Sequence, residues 1–161
     1  MIKYAKKDNF YSIFPMGEIP NDWEELTKEE YDKHFEKTLE ELKSEKLAEL
    51  TAITSKFDNQ LVNNEMIIKS SLGFSINADL RSQFNIRRLI SIGTEPVSFI
   101  VADNTTVDLS LAQLNILISE CEENMQYLFD LKQSYKKQIA DATTKEELDT
   151  IEIKFEMLDF S

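Results

Sequence analysis

The longest regular pattern of apolar positions runs from Ser110 to about Ala140. Leu111, Leu114, Ile118, Cys121, Met125, Leu128, Lys132, Tyr135 and Ile139 follow one another in steps of three and four. That spacing lays them along one face of an α-helix, with only Lys132 interrupting the stripe. Such a helix is a rod of about 45 Å, longer than a small domain is wide. It is expected to carry the rest of the chain along its length or to pair with a second chain. A second helical pattern runs from Tyr31 through Phe35, Leu39, Leu42, Leu47, Leu50, Ile53 and Phe57 to Leu61. Thr27-Lys28-Glu29-Glu30 marks its start with the spacing of a capping box, in which hydroxyl and carboxylate satisfy each other's free amides. The pattern predicts one amphipathic helix over 27–64.

Shorter runs fill the gaps. Ile2–Lys6 and Phe10–Phe14 flank Lys7-Asp8-Asn9 and predict a hairpin, which Pro15, Gly17 and Pro20 bring to an end. A lone hairpin is marginal in water, so this one needs the following helix or a partner. Met66–Lys69 and Phe74–Ile76 predict a second strand pair. Asn77 is placed to cap a helix carrying Leu80, Phe84 and Ile92, with Gly93 stopping it. Val97–Val101 and Thr105–Val107, about Asp103-Asn104, predict a further hairpin, and Asp108 or Ser110 caps the long helix. Thr144-Lys145-Glu146-Glu147 repeats the capping-box spacing. Leu148, Ile151, Phe155 and Leu158 then predict a last helix folded back on the long one. The expected fold class is α+β, mainly α: long helices, short β-hairpins and a C-terminal antiparallel helical pair. The expected segments are an aromatic hairpin over 1–26, an acidic helix over 27–64, and an α+β domain over 65–161 ending in a helical hairpin.

Composition sharpens this picture. Three Gly and three Pro in 161 residues leave few tight turns, which favours long helices. The net charge of −12 argues against a nucleic-acid partner or an anionic membrane surface. Between Glu18 and Glu49, twelve carboxylates face five lysines, a local charge of −7. That is a solvated helix face or a docking surface for a basic partner. No stretch reaches the roughly 18 apolar residues of a membrane span, and the N-terminal residues lack a signal peptide's apolar core. Cys121 is the lone cysteine, so no internal disulfide forms, and its place on the stripe predicts a buried thiol. A cytoplasmic location is expected.

Catalytic chemistry finds little to work with. His34 is the only histidine and sits among charged residues, where a solvated side chain is expected. One His and one Cys exclude paired-histidine and cysteine zinc sites, and Gly17, Gly73 and Gly93 are too isolated for a phosphate-binding loop. No enzyme activity, cofactor or metal is expected. Arg81, Arg87 and Arg88 form the one basic cluster and are expected to pair with the acidic first helix.

Several stretches carry a family likeness. Ala78-Asp79-Leu80-Arg81-Ser82-Gln83 contains an Asp-x-x-Ser-Gln motif, Val97–Val107 forms an aromatic-containing strand pair before the long helix, and Ala142–Leu148 supplies an Ala-x-Thr-x-Glu-Glu-Leu start to the last helix. Together they resemble a domain of unassigned function found in tailed-phage and prophage tail proteins. Glu18-Ile19-Pro20 and Leu26-Thr27-Lys28-Glu29-Glu30-Tyr31, after a short aromatic strand pair, are similar to the start of tail-fibre assembly proteins. Phe74 stands where the tail-protein domain has a more polar turn into its Asp-Leu-Arg-Ser-Gln segment.

The resemblance implies a non-catalytic tail-fibre assembly chaperone that binds the distal fibre or spike and promotes its folding or trimerisation. It would work in the host cytoplasm, with or without retention on the virion tail. Tyr4, Phe10, Tyr11, Phe14 and Trp23 are the expected partner-binding residues; packing on the first helix is the alternative for them. Self-association through helix 110–140 is a second expectation. The charge supports an alternative function, an acidic phage-encoded inhibitor that mimics nucleic acid to block a host defence enzyme.

Overall fold

A computed structural model describes residues 2–15 and 18–161, so Gly17, named above as a breaker, lies outside the described residues. The chain divides into two compact units, Met1–Glu41 and Leu42–Ser161.

In the first unit, β1 (Lys3–Lys7) and β2 (Phe10–Phe14) form the predicted antiparallel hairpin, with Lys3 opposite Phe14 and Lys7 opposite Phe10. Asp8 makes the turn at φ 54°, a left-handed conformation that Asp tolerates better than most residues. A third strand, β3 (Glu24–Leu26), pairs with the other edge of β1, giving the order β2-β1-β3. Two consecutive glutamates are poor strand formers. Here lysines on β1 oppose them: Lys6 lies 3.0 Å from Glu24 and Lys3 3.4 Å from Glu25. Helix α1 (Lys28–Phe35) then starts with the predicted capping box, the Glu30 amide donating to Thr27 Oγ1 at 3.1 Å and the Thr27 amide to Glu30 Oε2 at 2.8 Å.

The single helix expected over 27–64 is two helices. Glu36 leaves the helical region at ψ 128°, and α2 runs separately over Leu39–Val62. A second capping box makes the break. The Glu41 amide turns to Thr38 Oγ1 at 3.2 Å, and the Thr38 amide donates to Glu41 Oε2 at 2.8 Å. Satisfied locally, neither amide needs a carbonyl of the preceding turn. The boundary between the two compact units falls after Glu41.

The second unit follows α2 with β4 (Ile67–Lys69) and β5 (Ser75–Asn77), an antiparallel pair. Helix α3 (Leu80–Ile92) follows. Asn77 still pairs with Ile67, so the cap falls to Asp79 instead, and Gly93 ends the helix at φ 73° as expected. Strands β6 (Val97–Ile100) and β7 (Thr106–Leu109) make the last hairpin. Helix α4 (Leu111–Asp141) begins at a capping box of Ser110 and Gln113, and the Glu95 carboxylate accepts the Leu111 amide at 2.9 Å. Met66, Ile68, Ile76, Ala78, Ile86 and Leu109 pack with Leu114, Leu117, Ile118, Cys121 and Leu128 of α4 in one core. The long stripe thus faces the chain's own interior.

The second helix of the expected C-terminal pair starts at the predicted Thr144 cap and is short. Helix α5 (Lys145–Asp149) is five residues long, and residues 151–161 lie outside any helix, with an isolated bridge from Asp159 to Lys69. Ile151, Ile153, Phe155 and Met157 turn inward while Glu152, Lys154 and Glu156 face solvent, a period of two. Polar bonds strap this segment to the rest of the unit. Tyr135 Oη accepts the Lys154 amide at 2.9 Å and donates to its carbonyl at 3.1 Å. Asn124 Oδ1 accepts the Leu158 amide at 2.9 Å, and Phe160 donates to the Lys69 carbonyl at 3.1 Å. The class is α+β and mainly α, with the C-terminal strap following the short second helix of the pair.

Candidate functional site

The five aromatic residues singled out in the N-terminal segment separate into three environments. Tyr4 and Tyr11 lie on the sheet face turned towards α1: Tyr4 meets Tyr31 at 5.0 Å between ring centroids, and Tyr11 stacks on His34 at 3.5 Å with the rings 13° from parallel. Phe35 closes this cluster edge-on to Tyr11 at 5.8 Å. Phe14 pairs with Trp23 at 5.6 Å, the two rings nearly perpendicular. Phe10 alone of the five stands clear, 71% exposed. Packing on the first helix therefore accounts for Tyr4 and Tyr11. His34 is part of that aromatic packing as well as exposed.

The first unit also presents exposed apolar residues outside these five. Ile13 on β2 is 49% exposed and Phe35 on α1 is 60% exposed. Ile13 sits opposite Tyr4 in the register, one residue out of phase with Phe10, so β2 shows an apolar side chain on each face. Because β2 is at the end of the strand order, one row of its backbone amides and carbonyls lacks a strand neighbour among the described residues.

In the second unit, the Asp-x-x-Ser-Gln motif forms a structural knot. Asp79 is fully buried, and its two carboxylate oxygens accept the Ser82 amide and hydroxyl, both at 2.9 Å. Gln83 donates to the Ala78 carbonyl at 2.7 Å and to Met125 Sδ at 3.1 Å. The motif thereby starts α3, holds it to the end of β5, and anchors it on α4.

These bonds serve the fold of the domain. A family model described as a domain of unknown function (DUF4376) matches residues 41–152, which span the motif and the core around it. The chain belongs to the DUF4376 family. No curated protein and no solved structure matches it. The matched residues begin at the end of the first unit and cover most of the larger compact unit, and the aromatic sheet precedes them in the sequence.

The DUF4376 unit contains an apolar cleft of about 200 Å³ beside α4, walled by Phe57, Leu61, Met66, Leu128 and Phe155, with Lys132 and Asp58 at 3.8 Å on its rim. Cys121 is buried in the adjoining core. Burial, with the charge of Glu120 second, pushes its thiol up to about 12, so it stays protonated and unreactive near neutrality. Among the described residues no three of His, Cys, Asp or Glu come together as a metal ion would require. Among them too, no helix is long and apolar enough to cross a membrane.

The expected pairing of the arginines with the first helix is not what forms. Arg87 meets Glu122 of α4 at 2.6 Å, and among the described residues neither Arg81 nor Arg88 has a carboxylate within 4 Å.

Proposed function

We propose that this protein is a non-catalytic phage tail-fibre assembly chaperone, which binds the distal part of a fibre or spike and promotes its folding or trimerisation. The observation that carries the proposal is the open β2 edge, with Phe10 and Ile13 exposed on either side of it. An edge strand of this kind accepts an extended partner segment through its backbone, while flanking apolar side chains select what docks. A partner chain with unpaired strands is prone to aggregate until it assembles, and covering those strands in the meantime limits aggregation. The likeness of the N-terminal residues to tail-fibre assembly proteins points to the same class of partner. The site of action is then the host cytoplasm, with carry-over onto the virion tail decided by how tightly the fibre holds it.

Co-expression with the neighbouring fibre gene tests this. The intact chain is expected to raise the yield of soluble trimeric fibre, and Phe10→Asp with Ile13→Lys to abolish the gain while leaving the DUF4376 unit folded. Equal trimer yield with and without the protein would exclude it.

A further inference from the structure

Helix α3 is unlike the rest of this acidic chain. Its 13 residues contain three arginines and no carboxylate. Its outward face carries Leu80, 50% exposed, and Phe84, 65% exposed, together with Arg81 and Arg88, which have no ion-pair partner among the described residues. Apolar side chains ringed by unpaired guanidinium groups are the composition of an interface centre, not of a solvated helix face.

The complement lies on α4. At 100° per residue Glu123, Tyr127 and Asp130 fall on one line, well away from the buried stripe. Tyr127 is 38% exposed, Glu123 has no partner among the described residues, and Asp130 accepts only from Gln126 of its own helix at 2.9 Å. The two lines match in register. Arg81, Phe84 and Arg88 are separated by three and then four residues; Asp130, Tyr127 and Glu123, read backwards, are separated by three and then four. Set antiparallel, Arg81 meets Asp130, Phe84 meets Tyr127 and Arg88 meets Glu123. Set parallel, the arginines still match the carboxylates, both pairs being seven residues apart, and only the rings fall one residue out of step.

We infer that α3 of one copy docks antiparallel on α4 of a second copy, ring against ring between two arginine–carboxylate pairs. The α3 and α4 helices of one chain are joined by the Arg87–Glu122 and Gln83–Met125 contacts, so they lie side by side. A two-fold axis beside them lets each copy offer its basic helix to the other's acidic line, and the contact closes as a dimer with two equivalent interfaces. This is a different face from the long stripe of α4, which the core occupies, and it is independent of the β2 edge.

The test uses the full chain and two charge-reversed variants, R81E/R88E and E123R/D130R. All four positions are exposed, and circular dichroism melts verify that each variant folds. Sedimentation equilibrium of the wild type should show a dimer that weakens with added salt. Each variant alone should weaken dimerisation by about tenfold or more, since it sets like charges against each other at both interfaces. An equimolar mixture should restore a salt-sensitive heterodimer, because reversed α3 then meets reversed α4 while the other interface keeps its native signs. A wild type that stays monomeric at its highest soluble concentration would overturn the inference. So would a dimer indifferent to both reversals, or two variants that fail to associate when mixed.

Discussion

Asp79 shows how much of this protein one side chain holds. It is fully buried, caps α3, and takes both donors of Ser82. Replacing it with Ala removes a cap and strands those donors, a loss of about 1–3 kcal/mol. Asp79→Asn keeps an acceptor for the Ser82 amide and should lose about half as much; urea unfolding of the two variants reads the difference. Asp159 makes a second case, at the surface. Its pairing with Lys69 at 2.7 Å, supported by bonds from Ser161, lowers its carboxyl to about 2 from the ordinary 3.8. A depressed folded-state value means the carboxylate favours the folded chain. That contribution is complete above the unfolded value near 3.8 and disappears as the pH falls towards 2. Asp159→Asn should therefore lower the melting temperature slightly at pH 6 and leave it unchanged near pH 2. A difference that persisted at pH 2 would mean the side chain acts by packing, not charge.

At the scale of elements, the Thr38–Glu41 capping box decides where one helix becomes two. Thr38→Ala removes the oxygen that caps the Glu41 amide, and amide exchange over Leu39–Glu41 should accelerate by about fivefold while the middle of α2 stays unchanged. The apolar spacing from Tyr31 to Leu61 hid this break, because a short interruption barely disturbs a helical period over thirty residues, yet Thr-x-x-Glu at 38–41 repeated the signal correctly used at 27–30. The C-terminal strap was legible in the same way. Leu148, Ile151, Phe155 and Leu158 fit a helix, but Ile151, Ile153, Phe155 and Met157 alternate with Glu152, Lys154 and Glu156, and alternation is what the strap obeys. By contrast, β3 had no local signal: Glu24 and Glu25 are weak strand formers, and their pairing with β1, with Lys6 opposite Glu24 and Lys3 3.4 Å from Glu25, exists only after folding. The candidate site divides along the same line. The open β2 edge follows from its hairpin, whereas the inward turn of Tyr4 and Tyr11 depends on where α1 packs.

The whole molecule joins a small sheet-bearing unit to a larger core, and their stabilities should differ. Ala5 is the one fully buried side chain among the described residues of the first unit. A unit of about 40 residues rarely builds enough core to stand firmly unaided, and this one depends on aromatic contacts and exposed ion pairs such as Lys6–Glu24. Exposed pairs contribute little and are screened by salt. The second unit buries Leu50, Met66, Ile68, Ile76, Ile86, Leu114, Leu117 and Ile139 almost completely. Hydrogen exchange should accordingly find the amides of β1 and β2 opening far more readily than those of β4 and the middle of α4, the more so in high salt. Adding a fibre fragment that docks on β2 should slow exchange in the first unit alone, because a ligand that binds only the folded sheet stabilises that sheet by mass action. If β1 exchanged as slowly as α4 in the free protein, the two units would unfold as one. A partner would then have no loosely held sheet to stabilise, and the case for β2 as the docking strand would rest on its exposed side chains alone.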